Sequence, residues 1–130
     1  MEWYLDTSVA LHALLPGGDR RARDWIEQHY GTGGGISSSS LLQLEMVRTL
    51  RRERLDATLA RPILDRVNLI SIDDGVLAAA AAIQPHLRAL DAIHLATCLL
   101  LGFGTTVVTH DDRMRRVAAE LGLDAHDPLA

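Results

Sequence analysis

Four acidic residues stand where a folded chain can use them for chemistry: Asp6, Glu45, Asp91 and Asp111. Asp6 ends the apolar run Trp3-Tyr4-Leu5 and is followed by Thr7-Ser8. Asp91 sits in a run of Ala, Leu and Ile between Arg88 and Leu101, company in which a carboxylate is costly unless paired or metal-bound. Asp111 follows the β-branched run Thr105–Thr109, and Glu45 lies inside a segment of helical apolar spacing. Carboxylates brought to one point repel one another and raise their pKa values. A hard cation such as Mg²⁺ or Mn²⁺ compensates them, prefers oxygen ligands and keeps waters for a substrate phosphate. Such a site hydrolyses a phosphodiester without a serine, histidine or lysine nucleophile.

Each acid also has a plainer reading. Asp6 and Asp111 can cap helices, Asp91 can answer a helix dipole, and Glu45 can be a solvated helix residue. Asp73-Asp74 have the same placement after a strand and read as capping residues, so position alone does not separate the two sets. Asp112 is a further first-turn acid. Thr7 and Ser8 either cap the next helix or orient a water or a phosphate. His94, three residues beyond Asp91, reads as a packing or hydrogen-bonding residue behind the site, and Cys98 as a buried thiol. His110, beside Asp111, can meet substrate. Arg48, Arg51 and Arg52 form a solvated face, a contact for RNA, or a contact for an acidic partner.

The elements that must position these groups alternate. Strands are expected at 2–5, 36–37, 68–72, 105–109 and 123–126. Helices are expected after Asp6, over 19–30, 39–53, 76–84, 90–101 and 112–121, and over 56–67 with an interruption at Pro62. Over residues 39–53, Leu41, Leu44, Val47 and Leu50 recur at helical spacing. Ser37–Ser40 read as a strand end and helix cap. On the 90–101 helix, Ala92, Leu95, Ala96 and Leu99 form the expected packing surface. Alternating strands and helices imply a parallel sheet covered on both faces, whose functional groups collect beyond the carboxyl ends of the strands.

Composition bounds the remaining choices. The 130 residues suit one domain, and 48% hydrophobic with 4% aromatic content implies an aliphatic core. No run approaches 18 apolar residues, so no membrane association is expected and the cytoplasm is the expected location. A single cysteine, Cys98, excludes an internal disulfide and a cysteine zinc site. The net charge is −4, and all 13 cationic side chains are arginine. A receiver-type phosphoacceptor site or a haloacid-dehalogenase-type phosphatase would want a lysine, and the latter an Asp-x-Asp start. Neither is present.

The ordered pieces resemble a known family. Tyr4-Leu5-Asp6-Thr7-Ser8, Ser40-Leu41-Leu42-Gln43-Leu44-Glu45-Met46-Val47-Arg48, Leu87-Arg88-Ala89-Leu90-Asp91-Ala92-Ile93-His94-Leu95-Ala96 and Val107-Val108-Thr109-His110-Asp111 together resemble the PIN-domain ribonucleases, most closely the toxins of VapBC toxin–antitoxin systems. The resemblance implies a single PIN domain over 1–130, a three-layer α/β/α sandwich with a mainly parallel sheet of four or five short strands. It implies a Mg²⁺-dependent endoribonuclease, with Mn²⁺ able to substitute, cutting structured RNA such as tRNA or ribosomal RNA and inhibiting translation. Asp6 and Asp91 match the direct metal ligands. Glu45 and Asp111 match direct or water-mediated ligands, and Thr7, Ser8 and Asp112 fall among their supports. Arg48, Arg51, Arg52 and His110 become contacts for RNA or antitoxin. The implied partners are a VapB-type antitoxin, a second copy of the chain and, through the antitoxin only, promoter DNA. The competing expectation is a catalytically silent PIN scaffold.

Overall fold

The computed structural model describes residues 2–102 and 104–130. In chain order the elements are β1 (Glu2–Leu5), α1 (Thr7–Leu14), α2 (Arg20–His29), β2 (Ile36–Ser39), α3 (Ser40–Arg52), a 3-10 turn (Ala57–Ala60) and α4 (Arg61–Leu64). There follow β3 (Asn68–Ile70), α5 (Asp74–Ala82), α6 (Ala89–Leu101), β4 (Thr105–Val108), α7 (Asp112–Glu120) and β5 (Asp124–His126). The described strands form one five-stranded sheet in the order β3-β2-β1-β4-β5, every neighbouring pair parallel. β1 is central. The chain builds outward from it to β2 and β3, then returns to place β4 and β5 on its other side. No helix among the described residues is long and apolar enough to cross a membrane.

The period-2 alternation of a strand divides the core into two layers. Leu5 and Val108 point to one face, where they pack with Val9, Ala10 and Ala13 of α1, Trp25 and Ile26 of α2, and Leu42, Met46 and Leu50 of α3. Tyr4 and Val107 point to the other face, with Leu95 and Cys98 of α6 and Met114 and Val117 of α7. Each fully buried leucine or isoleucine contributes roughly 1.5–3 kcal/mol from removal of apolar surface from water. The last two residues of β1 therefore anchor into both layers.

Several local expectations change. On α3 the buried stripe is Leu41, Leu42, Met46 and Leu50, whereas Leu44 is 56% exposed and Val47 only half-buried. Spacing by fours from Leu42 follows the helix face better than the threes taken from Leu41. Pro62 does not interrupt a helix; it lies in the first turn of α4, where its missing N–H costs nothing. β3 stops at Ile70, while Ser37–Ser39 form the end of β2 and lead into the cap of α3, as the sequence suggests. Ser39 caps α3 by accepting from the Leu41 N–H, and Ser38 donates to the Leu5 carbonyl at 2.6 Å. On α6, Ala92, Leu95 and Ala96 are buried and Leu99 packs at the margin, joined by His94, Thr97 and Cys98. Gly102, at φ 109°, ends this helix in a conformation that disfavours a side chain.

Candidate active site

The sheet order reverses direction at β1 and β4, and the crevice beyond the carboxyl ends of such strands is where open α/β sheets place ligands. Asp6 follows β1 there. Leu5 pairs with Val108 in the parallel register, so the next residues, Asp6 and Thr109, emerge side by side. The Asp6 N–H donates to the Val108 carbonyl at 2.9 Å, fixing the backbone at the point of exit.

Asp6 is 4% exposed and occupies the N-cap position of α1, yet its carboxylate makes no capping bond. Its Oδ2 instead accepts from Ser8 Oγ at 2.8 Å and Thr109 Oγ1 at 2.7 Å. Thr7 and Ser8 thus lie in the first turn, behind the acids, rather than at the cap. Ser8 Oγ also receives the His110 backbone N–H at 3.0 Å, tying α1 to the loop after β4.

Glu45 reaches the same region from α3. Its Oε1 accepts from Thr7 Oγ1 at 2.7 Å and lies 2.7 Å from His94 Nε2. Burial alone would raise the Glu45 carboxyl, but the hydrogen bonds from His94 and Thr7 outweigh it and hold the group below the ordinary range. Asp91 arrives in the first turn of α6, with Arg88 Nε 3.4 Å from its Oδ2. Burial raises the Asp91 carboxyl, and the negative charges of Asp6 and Asp111 raise it further against the pull of Arg88. Asp111 caps α7, its Oδ1 accepting from the Met114 N–H at 3.0 Å.

A common pattern emerges. Three acids are held by hydrogen bonds through one oxygen, Oδ2 of Asp6, Oε1 of Glu45 and Oδ1 of Asp111, whereas Asp91 has only the exposed Arg88 guanidinium 3.4 Å from its Oδ2. The other oxygens of these three, and both oxygens of Asp91, have no hydrogen-bond donor among the described residues. Glu45 and Asp91 also line one pocket of about 240 Å³ with Arg88, Ala89 and Leu90. No three His, Cys, Asp or Glu side chains among the described residues are already gathered at metal-holding spacing. The donor set nonetheless fits a hard divalent cation, since it is all oxygen and anionic, with at least one uncommitted oxygen per residue.

Other candidates fall elsewhere. Asp112 does not join the acids: its side chain is 79% exposed and pairs with Arg115 one turn along α7. Arg48, Arg51 and Arg52 are exposed on α3, the last near Glu53 at 3.7 Å. His110 donates no side-chain bond to the acids; its ring Nδ1 lies 2.9 Å from Asp127, which also binds Arg115 at 2.8 Å. Asp73 accepts from the Val76 N–H and caps α5, as its sequence position suggests. Tyr4, Thr109 and Arg88 were not singled out from sequence. Thr109 carried a legible signal, because a parallel β1–β4 register places it beside Asp6. Tyr4 and Arg88 carried none that distinguishes them from core and surface residues.

Residues 3–120 match the PIN domain family. The chain is 42% identical over 123 residues to Ribonuclease VapC46 of Mycobacterium tuberculosis, covering 92% of each chain. It is 30% identical over 132 residues to Ribonuclease VapC47 of the same species, covering 98% of this chain and 97% of that one. Among solved structures, a toxin–antitoxin complex from Klebsiella pneumoniae contains a chain with the same fold, at a TM-score of 0.73 and 20% identity over 96% of both chains. A central parallel sheet between two helical layers and these relatives agree: the chain belongs to the PIN-domain family, of the VapC type.

Proposed function

We propose that this chain is a metal-dependent endoribonuclease and the toxin of a VapB-type antitoxin, with Asp6, Glu45, Asp91 and Asp111 as its acidic centre. The observation that carries the reading is that each of the four carboxylates keeps at least one oxygen without a hydrogen-bond donor, while Asp6, Glu45 and Asp111 are fixed through the other. Asp6 and Asp91 would hold the cation, and Glu45 and Asp111 would hold it directly or through water. Mg²⁺, with Mn²⁺ as substitute, supplies charge compensation for the scissile phosphate and activation of a water. Glu45, held in place by its bonds to Thr7 and His94, would accept the proton from such a water. Arg88, exposed at the rim beside Asp91, offers its guanidinium to a phosphate of the approaching strand. Hydrolysis on this plan leaves a 5′-phosphate and a 3′-hydroxyl.

The substrates we assign are structured RNAs, tRNA or ribosomal RNA, with inhibition of translation as the cellular result and the cytoplasm as its place. The ribonuclease names of VapC46 and VapC47 support the activity, and the Klebsiella complex supports an antitoxin partner. The whole of 1–130 acts as one PIN domain, as a homodimer that joins the antitoxin in a hetero-oligomer and meets promoter DNA only through it. Arg48, Arg51, Arg52 and His110 are the outer contacts for RNA or antitoxin. The test is mapping of new 5′-phosphate ends after brief expression, beside Mg²⁺-dependent cleavage in vitro by wild type and Asp91→Asn. Equal cleavage by the two proteins would sink the assignment, and no metal binding with no cleavage would favour the silent scaffold.

A further inference from the structure

His94 lies one turn beyond Asp91 on α6 and is 1% exposed. Burying an imidazole is unfavourable unless both nitrogens find partners. Here both do. The Tyr4 hydroxyl lies 2.7 Å from Nδ1, and Glu45 Oε1 lies 2.7 Å from Nε2. Thr7 Oγ1, itself bonded to Glu45, stands 3.1 Å from Nε2. One assignment of protons satisfies every group: Tyr4 donates to Nδ1, while Nε2–H and the Thr7 hydroxyl both donate to Glu45 Oε1. Asp6 Oδ1 is 4.0 Å from Nε2, too far to share that proton, and so remains uncommitted.

We propose that His94, braced by Tyr4, is a positioning residue that fixes which oxygen of Glu45 faces the cation and the water. The proposal rests on the metal-dependent reading above. Glu45 is a long side chain at the rim, 25% exposed, and a carboxylate with free torsions presents either oxygen. Two donors on one oxygen remove that freedom. They come from the first turn of α1 and from the body of α6, both backed by the core. Tyr4 precedes Asp6 by two residues on β1, so a single run of contacts joins the strand of Asp6, the helix of Asp91 and the helix of Glu45. An aliphatic residue at 94 beside phenylalanine at 4 would fill the same buried space without polar groups, so packing by itself does not call for histidine.

The experiment compares wild type, His94→Leu, His94→Gln and Tyr4→Phe, each alone and with Glu45→Ala. Mn²⁺ binding is read by electron paramagnetic resonance of the free ion, cleavage of RNA by kcat and metal dependence, and folding by thermal melting. We expect His94→Leu to weaken Mn²⁺ binding and cleavage at least tenfold, the range for loss of a residue that orients a ligand. His94→Gln, which keeps a donor at the Nε2 level, restores most of both, and Tyr4→Phe falls between. In the Glu45→Ala background His94→Leu has no further effect, because the group it positions is gone. Equal losses in both backgrounds, or losses that only follow a fall in melting temperature, would overturn the proposal. Imidazole ¹⁵N spectra of the wild type decide the case should His94→Leu not fold: a ring without a proton on Nε2 overturns it. Asp6→Asn separates the two levels of inference, since wild-type Mn²⁺ binding and cleavage there would refute the metal centre itself rather than the role of His94.

Discussion

Thr109 Oγ1 donates to Asp6 Oδ2 at 2.7 Å across the β1–β4 pair, from a residue with no exposed surface to one almost fully buried. Hydrogen bonds to a buried charge contribute about 1.5–3 kcal/mol. Thr109→Val keeps the shape and removes the donor. Cleavage and Mg²⁺ affinity are expected to fall about ten- to a hundredfold, whereas Thr109→Ser retains most of both. Steady-state cleavage titrated with Mg²⁺ checks this; unchanged activity in the valine variant would show that Ser8 alone suffices to hold Asp6.

Asp91→Asn separates site from fold. The carboxyl of Asp91 is raised by burial and by the charges of Asp6 and Asp111, so its ionised form is strained against its neighbours. Replacing it by the neutral isostere abolishes cleavage and leaves the metal-free melting temperature equal to or above that of wild type. Mg²⁺ at a hundred times its Kd stabilises wild type by about 2.7 kcal/mol, and this gain is lost in the variant. A lower melting temperature without metal would mark Asp91 as a structural residue.

Cys98 is buried on α6 against Tyr4 and Met114, and burial pushes its thiol up to about 12. In the unfolded chain the thiol ionises near 8.5. The folded state therefore holds its proton over a range in which the unfolded state has lost it. The contribution of this group is complete below about pH 8.5 and is lost as pH rises towards 12. Urea unfolding at pH 8 and pH 10 should show a loss of about 2 kcal/mol in wild type that is absent from the Cys98→Ala comparison. Native protein at pH 8 should also resist iodoacetamide, and rapid labelling would contradict the packing.

Asp127 stands between His110 and Arg115 and also accepts from the Leu129 N–H at 2.8 Å. Burial alone would raise its carboxyl, but these partners outweigh burial and lower it. A lowered folded value stabilises the protein above the unfolded pKa of about 3.9 and ceases to do so as pH falls through the folded one. Asp127→Asn should cost about 1 kcal/mol at neutral pH, and the gap should close below about pH 4. Melting curves across that range check it, and a gap independent of pH would remove the charge from the explanation.

The sheet and its helices were legible because alternation, turn residues and β-branched runs act locally. The positions of the four acids were legible because Asp6 and Asp111 follow strands while Glu45 and Asp91 sit in helices of apolar spacing. What escaped was relational. Leu44 fits an apolar stripe drawn by threes from Leu41, and only packing against β1 reveals that Leu42 and Met46 face the core. Asp112 and Asp111 are adjacent and chemically identical, and they part company because the N-cap geometry turns one to the Met114 amide and leaves the other to Arg115. Tyr4 reads as an aromatic core residue until its hydroxyl meets His94, a partner 90 residues away.

β1 sends Leu5 into one core layer and Tyr4 into the other, and Asp6 is the next residue. The position of Asp6 is thus a surveyed point, triangulated from two separate interiors. Substitutions confined to the outer faces leave that point where it is. Drift in either interior moves it, and a repacked Met46 or Met114 would be felt as lost catalysis long before it was felt as lost folding.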